Sequence, residues 1–159
     1  MKDDRLSIPM DPGYAAALGV ALYAFGRLEW DVIWCCERME PGSITKLTEL
    51  TSGVVKKRFR KLSEQIEDDA LRTSLLQAAD QFDPLVDIRN DFVHGNPFTD
   101  SDGGQRVGGK NGTWTVERLE EAADEFTTCS RVFNAFVHGA LSDLAAHRSM
   151  VLSDDSETA

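Results

Sequence analysis

The sequence predicts an all-α domain of four or five helices with one short β excursion. Three observations support this fold class. Long segments repeat apolar residues every three or four positions, the spacing of one face of an α-helix. Proline and glycine stops separate these segments. Half of the 12 glycines fall between residues 95 and 112, where no helical pattern exists. Because most connections are short, we expect the helices to form an antiparallel bundle.

The first half of the chain contains three predicted helices. Asp11 and Pro12 begin the first, since Asp caps free amide groups and Pro suits the first helical turn. This long helix ends at Pro41. A short helix to about residue 50 follows, and then a third helix with basic residues around its polar sides. Trp30 and Trp34 are expected in the core, and the alternative is that they form a helix–helix dimer face.

The second half contains two further helices. Apolar residues from Leu71 to Phe92 recur at helical spacing and predict the fourth helix. Pro84 lies inside this stretch, where it either kinks the helix or restarts it. The last helix begins at Glu117, and its apolar residues also alternate steps of three and four.

A small β-hairpin is predicted near residues 97–116, between the last two helices. Residues 105–110 form its first strand, because Asn111-Gly112 favours a tight turn and alternating Thr and Trp residues follow. Glycines in the first strand weaken this prediction. A connection of this length inside a small domain is often functional or part of an interface.

Length and composition fit one soluble domain. The 159 residues are 42% hydrophobic and 28% charged, the balance of a globular protein. We expect a single domain over residues 1–148 and an acidic, disordered tail over 149–159. No apolar run approaches the roughly 20 residues that span a bilayer, and the charged N-terminus does not resemble a signal peptide. Three cysteines form no disulfide framework, so we expect a cytoplasmic protein without membrane contact.

The net charge of −10 argues against loose, non-specific binding of nucleic acids. Residues 1–80 carry 11 basic and 13 acidic side chains, whereas residues 81–159 carry 6 and 14. Any anionic partner should therefore meet the first half of the chain. The best candidates for RNA phosphate contacts surround the third helix, namely Lys56, Lys57, Arg60 and Lys61. The alternative is that they form an ordinary solvated face.

One segment at the end of the fourth helix combines groups suited to phosphoryl chemistry. Residues 89–95 read Arg-Asn-Asp-Phe-Val-His-Gly. Residues four apart lie about 40° apart around a helix, so Asn90 and His94 share a face. Arg89 lies on another side, but its long arm can reach towards the same groove. A histidine can transfer a proton, and an arginine can neutralise a developing negative charge. The alternative is a surface ion pair beside a helix-end histidine that binds carbonyls or water.

An Arg-Asn-x-x-x-His sequence that closes a helix in a small all-α protein resembles the signature of the HEPN superfamily. Many HEPN domains are metal-independent ribonucleases of toxin–antitoxin or phage-defence systems, and they dimerise so that two motifs form one cleft. The resemblance implies that Arg89, Asn90 and His94 are catalytic, that RNA is the substrate and that no cofactor is needed. It also implies a homodimer and an antitoxin or other partner protein. Other HEPN domains are inactive modules that bind protein or RNA, which is the alternative function.

A second copy of the local pattern lies in the last helix. Asn90-Asp-Phe-Val-His-Gly recurs as Asn134-Ala-Phe-Val-His-Gly, but Phe133 replaces the arginine. We therefore expect His138 to be a packed or surface histidine without catalytic function. A di-metal site in a helical domain would need several inward carboxylates and a repeated Glu-x-x-His, which the sequence lacks, so no metal site is expected. All three cysteines fit apolar helix positions, which favours packing in the core.

Overall fold

A computed structural model of the chain describes residues 10–142. Within this range, five helices share one core, and a three-stranded antiparallel sheet lies beside them. The elements are α1 (Pro12–Met39), α2 (Ile44–Leu47), α3 (Ser52–Ser63), α4 (Asp69–Val93), β1 (Asn96–Thr99), β2 (Gln105–Gly109), β3 (Gly112–Trp114) and α5 (Val116–His138). The prediction of a mostly helical fold is confirmed. The predicted tail, residues 149–159, lies outside the described residues. None of the described helices combines the length and the apolar character needed to cross a membrane.

The ends of α1 are set by side chains that satisfy free backbone groups. Asp11 caps the start, where its carboxylate accepts a hydrogen bond of 2.7 Å from the Gly13 amide. Beyond the other end, the Glu37 carboxylate accepts hydrogen bonds of 2.8 Å from the amides of Gly42 and Ile44. Burial raises the pKa of Glu37, but these hydrogen bonds outweigh it, and the pKa is lowered below its ordinary value. Glu37 therefore fixes the turn between α1 and α2.

Helix α4 continues through Pro84 without interruption from Asp69 to Val93. The idea that the proline restarts the helix is therefore wrong. Proline removes one intrahelical hydrogen bond, but Phe82 and Leu85 on either side of it are buried in the core. Their burial offsets the lost bond and keeps both halves of the helix in place.

Aromatic rings from four helices form the centre of the core. The rings of Phe25 and Phe126 lie 5.2 Å apart, and the rings of Phe59 and Phe133 lie 5.0 Å apart. Phe82 contacts both groups. The three cysteines are also buried, which confirms the prediction that they pack in the core.

The order of contacts gives the direction of the helices. Along α3 and α4, Lys56 pairs with Asp87 whereas Arg60 pairs with Asp80, so these helices are antiparallel. Along α1 and α5, Phe25 meets Phe126 and the Cys35 thiol lies 3.5 Å from the Phe133 carbonyl oxygen. Residues further along α1 contact residues further along α5, so these two helices run parallel. The sequence predicts an antiparallel arrangement instead. A short loop forces antiparallel packing only between consecutive helices, and these two are not consecutive.

The predicted hairpin exists as β2 and β3, but a third strand precedes it. β1 pairs antiparallel with β2, so that Pro97 lies opposite Val107 and Thr99 opposite Gln105. The strand order is β1-β2-β3, which makes β1 an edge strand. Pro97 can occupy this strand because an edge strand tolerates a missing amide. The sequence pattern does not reveal β1, because Pro97 predicts a helix stop rather than a strand.

Candidate functional site

Asn90 and His94 lie at the end of α4 with their side chains available. His94 is the last residue of the helical turn, and its amide donates a hydrogen bond of 3.0 Å to the Asn90 carbonyl oxygen. The His94 side chain is exposed and that of Asn90 is half-buried. Within residues 10–142, neither side chain has a hydrogen-bond or ion-pair partner. The amide and the imidazole are therefore free to bind a ligand from solvent.

The residue after His94 explains why the sheet lies beside this site. A Cβ atom on Gly95 would lie 2.7 Å from the Gly108 carbonyl oxygen and would also overlap the Val107 side chain. Only glycine allows β2 to pack directly against the end of α4. His94 therefore occupies the junction between the helix and the sheet.

Asp91 holds this junction together, a function that the sequence analysis missed. Its carboxylate accepts hydrogen bonds from the Lys110 amide at 2.7 Å and from the Trp114 indole Nε1 at 3.0 Å. A Cβ atom on Gly109 would overlap this carboxylate and lie 2.8 Å from the indole nitrogen. The glycine that weakened the strand prediction is thus required for close approach. No local sequence signal marks these contacts, because the partners are about 20 residues apart.

Arg89 points away from His94, towards α1 and α3. Its Nη2 donates a hydrogen bond to the Ser52 hydroxyl, and its guanidinium carbon lies 4.7 Å from the centre of the Phe25 ring. The side chain is half-buried in this position. Among the described residues, no hydrogen bond or ion pair joins Arg89 to Asn90 or His94. The structure thus brings Asn90 and His94 together and leaves the predicted third member on a neighbouring side of the helix.

The four predicted RNA-contacting residues of α3 divide into two pairs. Lys56 lies 3.7 Å from the Asp87 carboxylate, and Arg60 binds Asp80 at 2.7 Å. Both are therefore used in packing α3 against α4. Lys57 and Lys61 are exposed, one turn apart, and have no ion-pair partner within the part of the chain that the structure describes. The free positive charge on this helix comes from this second pair.

The second Asn-x-x-x-His pattern has a different environment. Asn134 donates a hydrogen bond of 3.4 Å to the buried Asp31 carboxylate, which also accepts one from the Ser130 hydroxyl. Asn134 therefore helps to join α5 to α1. His138 is exposed at the end of α5. The two patterns differ, because the amide is free at Asn90 and engaged at Asn134.

Neither the search for a metal site nor the comparisons with known proteins indicate a function. Within residues 10–142, no group of three or more histidine, cysteine, aspartate or glutamate side chains is arranged to hold a metal ion. No protein-family model matches the chain, and comparisons with curated proteins and solved structures find no significant match. The residues at the end of α4 are therefore the basis for assigning a function.

Proposed function

We propose that the chain is a HEPN-like, metal-independent endoribonuclease that works as a toxin or phage-defence effector in the cytoplasm. The observation that carries this proposal is the free Asn90 amide and His94 imidazole on one face at the end of α4, directly after Arg89. The mostly helical fold is compatible with the helical bundle of that superfamily.

The proposed reaction is attack of an RNA 2′-hydroxyl on the adjacent phosphorus. The 2′-hydroxyl loses its proton to a base while its oxygen bonds to phosphorus. The bond between phosphorus and the 5′-oxygen then breaks, and that oxygen takes up a proton. The products carry a 2′,3′-cyclic phosphate and a 5′-hydroxyl. His94 would transfer one of these protons, and Asn90 would orient the phosphate by hydrogen bonding.

Arg89 would stabilise the negative charge that develops on the phosphorane. Its guanidinium must first leave Ser52 and the Phe25 ring. Losing one hydrogen bond and one cation–π contact costs roughly 1–3 kcal/mol. A charge-assisted pair with a phosphate supplies an interaction of similar or greater strength. RNA binding would thus draw Arg89 into the site.

A homodimer would complete the machinery. One histidine and one arginine are few groups for two proton transfers, and a two-fold axis would place two sets in one cleft.

Lys57 and Lys61 would contact RNA phosphates, since their charges are not used within the described chain. Lys56 and Arg60 would have to release their aspartate partners before they could bind a phosphate. The exposed ring of Phe98 on β1 would offer a surface for base stacking.

An inactive HEPN-fold module that binds protein or RNA is the second function we consider. The observation that favours it is the position of Arg89, which already has partners on α1 and α3. The net charge of −10 also favours protein partners, such as an antitoxin, over RNA.

Cleavage in the presence of a chelator distinguishes the two functions. The purified chain is incubated with total cellular RNA in excess EDTA, and the new ends are tested for a 2′,3′-cyclic phosphate. The nuclease proposal predicts discrete cleavage that EDTA does not reduce. Loss of cleavage in EDTA with recovery in Mg²⁺ or Mn²⁺ would contradict the mechanism. Absence of cleavage at every RNA tested, with retained binding of a partner, would favour the module.

A further inference from the structure

Helix α1 carries a second apolar stripe in addition to its core face. This outer stripe consists of Val20, Tyr23, Arg27, Trp30, Trp34 and Arg38. At 100° per residue, these positions fall within about 80° of one another, and roughly 150° from the centre of the core face. A helix at the surface normally carries polar residues opposite its core face. Here four of the six side chains are large and apolar or aromatic.

The described part of the chain leaves four of the six residues of the outer stripe exposed. Tyr23 is 79% exposed, Val20 59% and Trp30 42%, whereas Trp34 is half-buried. The expectation that both tryptophans lie in the core is therefore wrong for Trp30, because α5 packs on an adjacent side of α1. Contiguous exposed apolar residues of this kind mark interaction surfaces.

The two arginines of the outer stripe line one cavity on the surface of α1. This cavity of about 340 Å³ is lined by Arg27, Trp30, Trp34, Arg38, Asn134 and His138 among others. The Arg38 Nε atom is buried and has no hydrogen-bond partner within residues 10–142. Arg27 lies 3.6 Å from Asp31, a carboxylate that Ser130 and Asn134 also bind. Two guanidinium groups and one carboxylate, Asp31, thus line this cavity, in a chain whose net charge is −10.

The length and charge of the outer stripe indicate which class of partner would bind there. From Val20 to Arg38 it is about 27 Å long at 1.5 Å per residue, which is five helical turns and longer than a small ligand. A second copy placed across a two-fold axis would bring the same two arginines, and the Asp31 carboxylate of each cavity is already bound by Arg27, Ser130 and Asn134. An RNA would supply phosphates, but it carries a negative charge on every nucleotide, so a chain with a net charge of −10 would repel it more strongly than a helix with a few carboxylates. An acidic amphipathic helix supplies both carboxylates and an apolar face.

The geometry points to the outer stripe as the docking site for an acidic amphipathic helix of a partner protein. Apolar side chains of that helix pack on Tyr23 and Trp30, and its carboxylates pair with Arg27 and Arg38. Pairing with Arg38 supplies an acceptor to a half-buried guanidinium whose Nε atom has no hydrogen-bond partner within residues 10–142. This inference does not depend on RNA cleavage, because none of these residues belongs to the site at the end of α4.

Selection from a displayed library of helical peptides tests the proposal. Peptides of about 18 residues, with random residues on both faces, are selected on the full chain. We expect enrichment of Asp and Glu beside an apolar face, and Kd values of about 1–100 µM from changes in tryptophan fluorescence. Arg27→Glu combined with Arg38→Glu should weaken binding at least tenfold. The matched control is Lys57→Glu with Lys61→Glu, which makes the same charge change on α3 and should leave peptide affinity unchanged.

Several outcomes would overturn the proposal. One is the absence of any peptide that binds more tightly than about 1 mM; another is the selection of lysine-rich peptides. Equal loss of affinity in the outer-stripe variant and the α3 control would also contradict it. Sedimentation of the wild type as a dimer that Tyr23→Glu converts to monomer would assign the stripe to a second copy. If the double glutamate variant unfolds, Arg27→Gln with Arg38→Gln makes the same comparison with a smaller charge change.

Discussion

Removal of the Asp91 carboxylate should destabilise the protein by detaching the sheet from α4. Trp114 is buried, so its indole N–H would lose its only hydrogen-bond partner among the described residues. A hydrogen bond to a charged group contributes about 1.5–3 kcal/mol. The bond from the exposed Lys110 amide adds about 0.5–1 kcal/mol on the same scale. Asp91→Ala should therefore lower the free energy of unfolding by about 2–4 kcal/mol.

Urea unfolding followed by circular dichroism measures this change. Gly109→Ala provides a second test, since the added Cβ would collide with the same carboxylate. The two substitutions disturb one contact, so the double variant should lose at least about 1 kcal/mol less than the sum of the single losses. A loss below about 0.5 kcal/mol for Asp91→Ala, or full additivity with Gly109→Ala, would refute this account of the junction.

Further predictions concern stability, RNA binding, thiol reactivity and the pH dependence of stability. Arg89→Ala should lower the free energy of unfolding by about 1–3 kcal/mol. Ser52→Ala should lower it by about 1 kcal/mol and should retain RNA cleavage. Unchanged urea midpoints in these variants would contradict both expectations. Lys57→Glu with Lys61→Glu should weaken RNA binding and reduce its salt dependence, whereas an unchanged Kd in a titration would exclude α3 as a contact. Burial raises the pKa of all three thiols, to about 12 in two of them, so a disulfide reagent should modify them rapidly only after unfolding. Unfolded thiols ionise near pH 9 while folded ones keep their protons, so stability should fall as the pH rises from about 9 to 12; a constant urea midpoint over that range would contradict this.

Helix positions could be predicted because their signals are local in the sequence. Asp11 and Pro12 begin α1, and Pro41 follows its end, as expected from capping and from the missing proline amide. The apolar spacing also identified most core residues, among them Phe82 and Phe126. These features depend on residues within one or two turns of each other, which is the range that sequence patterns report.

Contacts between distant residues could not be predicted. Arg89 was expected near His94, but Ser52 and Phe25 come close only after α1, α3 and α4 have packed. The link from Asp91 to the sheet depends on a strand register that no local pattern fixes. The exposure of Trp30 could not be predicted for the same reason. The apolar character of a helix residue does not show whether another element of the fold will pack over it.

The most direct test of the site compares the two histidines. His94→Ala should reduce RNA cleavage about 10²–10⁴-fold, the usual loss when one proton-transfer group is removed, with an unchanged circular dichroism spectrum. His138→Ala alters the same local sequence at the end of α5 and should leave the cleavage rate near that of the wild type. If both variants lose activity equally while folded, or if both retain it, the assignment of the Arg-Asn-x-x-x-His segment as the catalytic site is contradicted.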